Sequence, residues 1–288
     1  MKLRPLLGLL AIATLVAVPA RAQLEGDILV NMFDPASLGI FAPDGTAKLA
    51  TTRGTGSFWL GASRTGDDLL VTTRRLPNGV NLFDRTGREV ATFDTPQVTF
   101  ATGDVSVFAD GTLAVTDQDG QIELYTRTGV HVGAFPVAGP FGNYVDANDD
   151  LWVAGSFRIV RFDRSGTQLG TISTNFAVGD VVAPGDGTVW ATDRNSARVV
   201  QFDRSGAELR NFATGLPPFL YGIALARDGT VLVTSWQVPA VHRFGRDGTP
   251  LGKIDLPSSP LFLSVIDPLT SPAVVFCTAK ANSLGCLP

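Results

Sequence analysis

Histidine and cysteine are almost missing, with two of each in 288 residues. His131 and His242 lie far apart, and Cys277 and Cys286 stand together near the C-terminus, so a zinc site built on these residue types has no material. No GxSxG, HExxH or P-loop pattern occurs anywhere, which removes the common signatures of serine hydrolases, zinc peptidases and nucleotide hydrolases. Basic residues are also short, 23 against 27 acidic ones. Neither a nucleic acid nor an anionic membrane surface suits such a chain, since both need clustered Lys and Arg to displace counterions.

Glycine and proline, by contrast, are plentiful. Thirty-one glycines and eighteen prolines without a collagen period imply many tight turns between short strands. A hydrophobic share of 44% against 17% charged is enough for a large core. The start of the chain follows another logic. Lys2 and Arg4 precede a thirteen-residue apolar run, Leu6 to Val18, and Ala20-Arg21-Ala22 forms a small-x-small site, so residues 1–22 read as a secretory leader cleaved before Gln23. A run that short falls below the roughly 20 residues of a membrane span. Removing the leader leaves 20 of the 23 basic residues against 27 acidic ones, a net charge of −7. The expected location is therefore periplasmic or extracellular, with no membrane insertion after cleavage.

One unit repeats along the rest. Its clearest copy is DGTVWATDRNSARVVQFDRSGAEL, Asp186 to Leu209: turn, apolar strand, polar loop, strand ending in an aromatic, tight turn. Aligned on the second turn, the copies place Gly45, Gly87, Gly129, Gly166, Gly206 and Gly248 at intervals of 42, 42, 37, 40 and 42 residues. An aromatic precedes each turn: Phe41, Phe83, Tyr125, Phe162, Phe202 and Phe244. A period near 40 with four strand-sized segments predicts a β-propeller blade. With strands lettered a to d from the central channel outward, strand b runs apolar without alternation, as in Leu113-Ala114-Val115, which fits a strand covered on both faces. Trp59, Trp152 and Trp190 read as core on the same argument.

The chain begins inside a blade. Residues 28 to 52 supply strands b, c and d, five whole blades follow, and Leu261 to Ile266 matches strand a. The expected fold is all-β, a six-bladed propeller of four-stranded antiparallel blades closed by three N-terminal strands and one C-terminal strand, over residues 23–266. Closure of this kind removes exposed sheet edges. A tail, 267–288, contains Cys277 and Cys286, a pair close enough for a local disulfide in an exported protein.

At DGTVWATDRNSARVVQFDRSGAEL and ADGTLAVTDQDGQIELYTRTG the sequence resembles NHL-repeat and related six-bladed propellers. That class includes scaffolds, protein binders, calcium-dependent lactonases, an amidating lyase and antibiotic-opening lyases, so the resemblance implies the fold and leaves the function open. The tail segment FCTAKANSLGCLP resembles the opening of a C-terminal module of some secreted bacterial repeat proteins, which suggests a piece of a longer cell-surface protein.

Candidate sites follow from the repeat. The a-to-b and c-to-d turns are tight DG and RTG hairpins on one face, while the b-to-c loops and d-to-a crossovers vary and share the other face, where a ligand is expected. Arg74, Arg75, Trp236 and Gln237 stand out there as anchors for a protein, peptide or glycan. Asp117 and Asp193 end their b strands after a Thr, as ligand contacts or as acceptors that fix the loops. Asp104, Asn143 and Asp180 fall at or near one repeat position, the start of strand a, as calcium ligands of a lactonase- or esterase-type hydrolase or as caps of inner strands. His131 falls on an outermost strand and His242 on a strand c, away from the channel, which counts against the lyases. The leading expectation is a monomeric, non-catalytic binding propeller with no certain cofactor, calcium being the alternative.

Overall fold

The computed structural model describes residues 26–32, 36–52, 54–65, 69–265, 277–280 and 283–286. Every regular element among them is a strand, and six antiparallel sheets of four strands each make the blades. Blade 1 takes Pro260–Val265 as strand a, then Ile28–Met32, Ser37–Phe41 and Ala47–Thr52. Blade 2 is Ser57–Arg64, Leu70–Leu76, Asn78–Phe83 and Glu89–Asp94; blade 3 is Thr102–Val107, Leu113–Asp117, Gln121–Tyr125 and His131–Pro136. Blade 4 follows with Asn143–Val145, Leu151–Gly155, Arg158–Phe162 and Gln168–Ser173, and blade 5 with Val178–Val182, Thr188–Asp193, Arg198–Asp203 and Glu208–Ala213. Leu220–Leu225, Val231–Ser235, Val238–Phe244 and Pro250–Asp255 complete blade 6.

Closure occurs as the sequence implies. The C-terminal strand pairs antiparallel with the first N-terminal one, setting Val265 opposite Ile28 and Leu263 opposite Val30. This strand spans Pro260–Val265, one residue earlier than expected, and Ile266 lies outside the described residues.

The core is six cores, one in each gap between blades. Trp152, Ile159 and Ile172 of blade 4 meet Val189, Ala191 and Phe202 of blade 5, and equivalent clusters fill the other gaps, including that between blades 6 and 1. Strand b touches a neighbouring blade on each face, hence its unbroken apolar run. The aromatic that ends strand c is the wedge in each gap. Phe41, Phe83, Tyr125, Phe162, Phe202 and Phe244 are all buried and each packs on the preceding blade. Truncating one such ring to alanine costs about 3–5 kcal/mol.

The six turn glycines that define the repeat all have positive φ, between 79° and 94°. A side chain there is strained, which explains why the repeat aligns on them. The leader and its cleavage site lie outside the described residues, as does most of the tail. Within the tail Cys277–Lys280 and Ser283–Cys286 pair antiparallel, with Cys277 opposite Cys286.

Candidate functional site

The two faces of the ring are built differently. On the turn face, carboxylates cap the hairpins: Asp84, Asp163 and Asp203 each accept backbone N–H bonds from two and four residues ahead. These bonds hold all three below the usual carboxylate range, led by the hydroxyl of Thr86, Ser165 or Ser205. The acids there are consumed by turn geometry. The other face, formed by b-to-c loops and d-to-a crossovers, carries the variable residues.

Glycines and carboxylates set the channel wall. Gly61, Gly103, Gly142, Gly179 and Gly222 occupy one position of strand a in blades 2 to 6, and each lies against the next blade around the ring. A Cβ on Gly61 would stand 2.5 Å from the Val105 nitrogen, and one on Gly222 2.8 Å from the Leu261 carbonyl oxygen. Only glycine permits such an approach. Blade 1 has Phe262 at this position, buried within the apolar cluster at the channel mouth.

The next residue in strand a is Asp104, Asn143 or Asp180 in blades 3 to 5, and Ile223, Leu263 or Ala62 in the others. In blades 3 and 5 it sits in a β-bulge, with one extra residue between Thr102 and Val105 and between Val178 and Val181. The carboxylate repairs the bulge and latches the next blade. Asp104 accepts Val105 N–H at 2.8 Å and Asn143 N–H at 3.1 Å. Asp180 accepts Val181 N–H at 2.8 Å and Ile223 N–H at 3.0 Å. Burial pushes the Asp104 carboxyl up to about 7. Burial, and then repulsion from Asp104, raises Asp180 well above its ordinary value.

Asn143 donates from Nδ2 to the Ala114 carbonyl and Thr116 hydroxyl, while its Oδ1 has no partner. The three residues proposed from sequence as calcium ligands are thus latches between blades, Asp104 and Asp180 as the extra residues of matching bulges and Asn143 one ladder step on, opposite Val153. All four carboxylate oxygens face backbone N–H donors, and no three His, Cys, Asp or Glu side chains converge among the described residues. This donor set does not fit a calcium ion, which takes six to eight oxygens.

At the loop-face mouth of the channel lies an aromatic cluster. Leu60, Leu261 and Phe262 are buried there with Phe141 and Tyr221 packed on them. The Phe141 and Tyr221 rings are 4.9 Å apart, Phe141 and Phe262 5.5 Å, and Tyr221 lies 6.2 Å from Trp236 and 6.3 Å from Phe219. The Arg194 guanidinium lies over Phe141 at 5.0 Å and over Tyr221 at 5.8 Å. Burial raises the Tyr221 phenol and the Arg194 charge draws it back.

Phe219 ties the cluster together. Its N–H donates to the Arg194 carbonyl at 2.7 Å and its own carbonyl accepts the Trp236 N–H at 3.2 Å, so one crossover clips two loops. It does so with φ at 69°, a conformation that costs a bulky residue about 1–3 kcal/mol. Phe157, on the b-to-c loop of blade 4, is held in the same region at 59°. The same face exposes Leu76 (58%) at the end of strand b of blade 2, and Phe100 (61%), Phe157 (60%) and Trp236 (43%) on its connections.

The residues singled out from sequence divide. Trp236 and Gln237 are exposed at the blade 6 turn, and Arg75 is half-buried, stacked over Phe100 at 5.5 Å. Arg74 corrects the expectation of an exposed loop pair: strand b of blade 2 continues to Leu76, and Arg74 is 1% exposed inside it. Its guanidinium is spent on Asn81, the Pro77 and Phe93 carbonyls and Asp94.

Asp117 accepts Thr99 and Asp119 N–H groups, and Asp193 accepts those of Asn195 and Ser196 and pairs with Arg198 at 2.9 Å. Both act as loop-fixing groups. His131 opens the outermost strand of blade 3 beside Glu123, and His242 lies in strand c of blade 6. Phe141, Arg194 and Phe219 were not singled out. The signal for the first was available, because Leu60, Phe141 and Tyr221 all precede the strand-a glycine.

No protein-family model matches the chain, and no curated relative does. Solved structures do match. A chain in the crystal structure of a nidogen/laminin complex is 12% identical with a TM-score of 0.68, covering 83% of this chain and 98% of its own. A protein of unknown function from Bacteroides caccae is 12% identical with a TM-score of 0.67, covering 83% and 97%. Virginiamycin B lyase from Staphylococcus aureus is 16% identical with a TM-score of 0.58, covering 71% and 73%. The likeness is one of fold: a six-bladed β-propeller.

Proposed function

We propose that this protein is an exported binding propeller that takes a protein or peptide segment on its loop face. The observation that carries the reading is the exposure of Leu76, Phe100, Phe157 and Trp236, drawn from blades 2, 4 and 6 and one crossover, on the face that carries the aromatic cluster. Exposed aromatics grouped with arginine are what binding surfaces use as anchors. Two of these aromatic positions, Phe157 and Phe219, keep a strained backbone, a cost that recurs at functional sites. The nidogen/laminin structure shows this fold within a protein assembly, which supports the reading in general terms.

Selection of displayed random peptides on the immobilised protein tests it. Selected peptides should lose about 30-fold or more in affinity for the F157S or W236S variant, the equivalent of about 2 kcal/mol for a hot spot. V130S, an equally exposed apolar site on the turn face, should leave them unchanged. Peptides that bind all three variants alike would place the surface elsewhere.

Export and the tail belong to the same reading. The leader of residues 1–22 is removed, and Cys277 and Cys286, opposite each other in the hairpin, are joined as a disulfide. Intact-mass measurement of protein recovered from outside the cytoplasm should begin at Gln23 and gain two hydrogens on reduction.

A further inference from the structure

Several of the described arginines are matched, and others, Arg75, Arg158 and Arg243 among them, form no ion pair. Arg74, Arg88, Arg161, Arg164, Arg198 and Arg246 each meet an aspartate. Arg194 does not. Among the described residues it has no ion pair and no side-chain hydrogen bond, and its Nε is buried without a partner. The adjacent carboxylate, Asp193, is turned to Arg198 and to the loop N–H groups. Asp104 and Asp180 in the channel are occupied by backbone donors, and Arg194 is not among the influences on either.

Its placement is fixed from both sides. The Arg194 N–H donates to the Ala177 carbonyl at 3.0 Å and its carbonyl accepts from Phe219 at 2.7 Å. Phe141 and Tyr221 cover the guanidinium with their faces. A guanidinium stacked on rings keeps its N–H edge for in-plane partners, and that edge matches the two oxygens of a carboxylate. Arg194 is half-buried, and partial removal from bulk water strengthens such a bond. Trp236 and Phe219, each within 6.3 Å of the Tyr221 ring, supply an apolar wall beside it. One cation in the cluster, in a protein of net negative charge, suits a monoanion better than a phosphate dianion.

We propose that Arg194 is the anchor of an anion subsite, which receives a carboxylate of the bound peptide while the neighbouring apolar side chain lies against Tyr221, Phe219 and Trp236. The carboxylate belongs to an acidic side chain or to the free C-terminus of the peptide. This inference rests on the loop face being the binding surface, and it adds the chemistry of the segment that binds.

The probes are 3-phenylpropionate and its neutral amide, titrated against the mature protein by tryptophan fluorescence and by ligand-observed NMR, with inorganic phosphate as a competitor. The acid should bind about 10-fold or more tightly than the amide, as a charge-assisted pair implies. R194M should bring the acid down to the affinity of the amide and leave the amide unchanged. R194K, which keeps the charge but loses the fork, should retain part of the preference and serves if R194M does not fold. Phosphate should compete more weakly than the acid.

Equal binding of acid and amide to the wild type, or a preference that survives R194M, would overturn the proposal. So would the absence of binding by either probe, or phosphate that outcompetes the acid. Equal binding that is lost in W236S would overturn the anion subsite alone and leave the loop face standing as a binding surface.

Discussion

Raising the pH should destabilise this propeller, and Asp104 should be one of two main reasons. Its carboxyl titrates near 7 in the folded protein against an ordinary value of 3.8, because burial disfavours the anion. The native state therefore holds a proton that the unfolded state has released, and stability falls as pH rises from about 4 to about 7. At about 1.4 kcal/mol per pH unit the ceiling is about 4 kcal/mol, or about 10 °C in Tm for a domain of this size. Asp180 is raised as well and acts in the same sense.

Two other groups bear on the curve. The turn carboxylates Asp84, Asp163 and Asp203 are held low, so their contribution is complete above pH 4 and is lost only in stronger acid. His242 is kept neutral chiefly by burial, so its effect is a gain with rising pH that ends near 6.5. Asp104→Asn separates these. Asparagine offers one oxygen to two N–H groups, Val105 and Asn143, so at pH 5 it should cost about 1–3 kcal/mol for the donor left unmatched. At pH 8 it also removes a buried charge, and the penalty should shrink or reverse. Thermal unfolding of both proteins at pH 5, 6, 7 and 8 reads this directly. A wild-type Tm that is flat or rising from pH 6 to 7, or a variant that tracks the wild type at every pH, would refute the reasoning.

Other perturbations follow from the same wall and loop face. Gly179→Ala puts a Cβ against the Leu220 carbonyl of the next blade and should lower stability by about 1–3 kcal/mol in denaturant melts, whereas Gly170→Ala, with open space around it, should not. Phe157→Gly relieves a left-handed backbone at an exposed residue and should raise stability by about 1 kcal/mol while weakening binding of loop-face peptides. Millimolar calcium should leave Tm unchanged relative to EDTA, because the Asp104 and Asp180 oxygens are already taken by backbone N–H groups; a rise of several degrees would show a bound ion.

The ring was legible because its repeat is dictated by local chemistry. Gly87 and its equivalents need positive φ, and Phe83 and its equivalents fill a gap of constant shape, so both recur at fixed spacing. Strand closure could be read by the same counting. The site was legible only in outline, because it is formed where blades differ. Arg74 and Arg194 are the same kind of residue after the same kind of strand. One is swallowed by a strand that runs on to Leu76, where Asn81 and Asp94 receive it, while the other is held against Phe141 and Tyr221 by the crossover into blade 6. Such outcomes depend on neighbours across blades, which the period of a repeat does not encode. The Gly-Asp steps at Gly103 and Gly179 carried more than was taken from them, since the glycine marks blade contact and the acid marks the latch.

The central claim is that the loop face, and not the turn face, meets the partner. A photo-crosslinking phenylalanine analogue placed at Trp236 or Phe157, and separately at Thr128 or Ser205 on the turn face, tests it in the producing cell. Adducts that arise from positions 236 and 157, are absent from 128 and 205, and diminish when Arg194 is replaced by Met are the predicted result. Adducts from the turn-face positions alone would contradict the account.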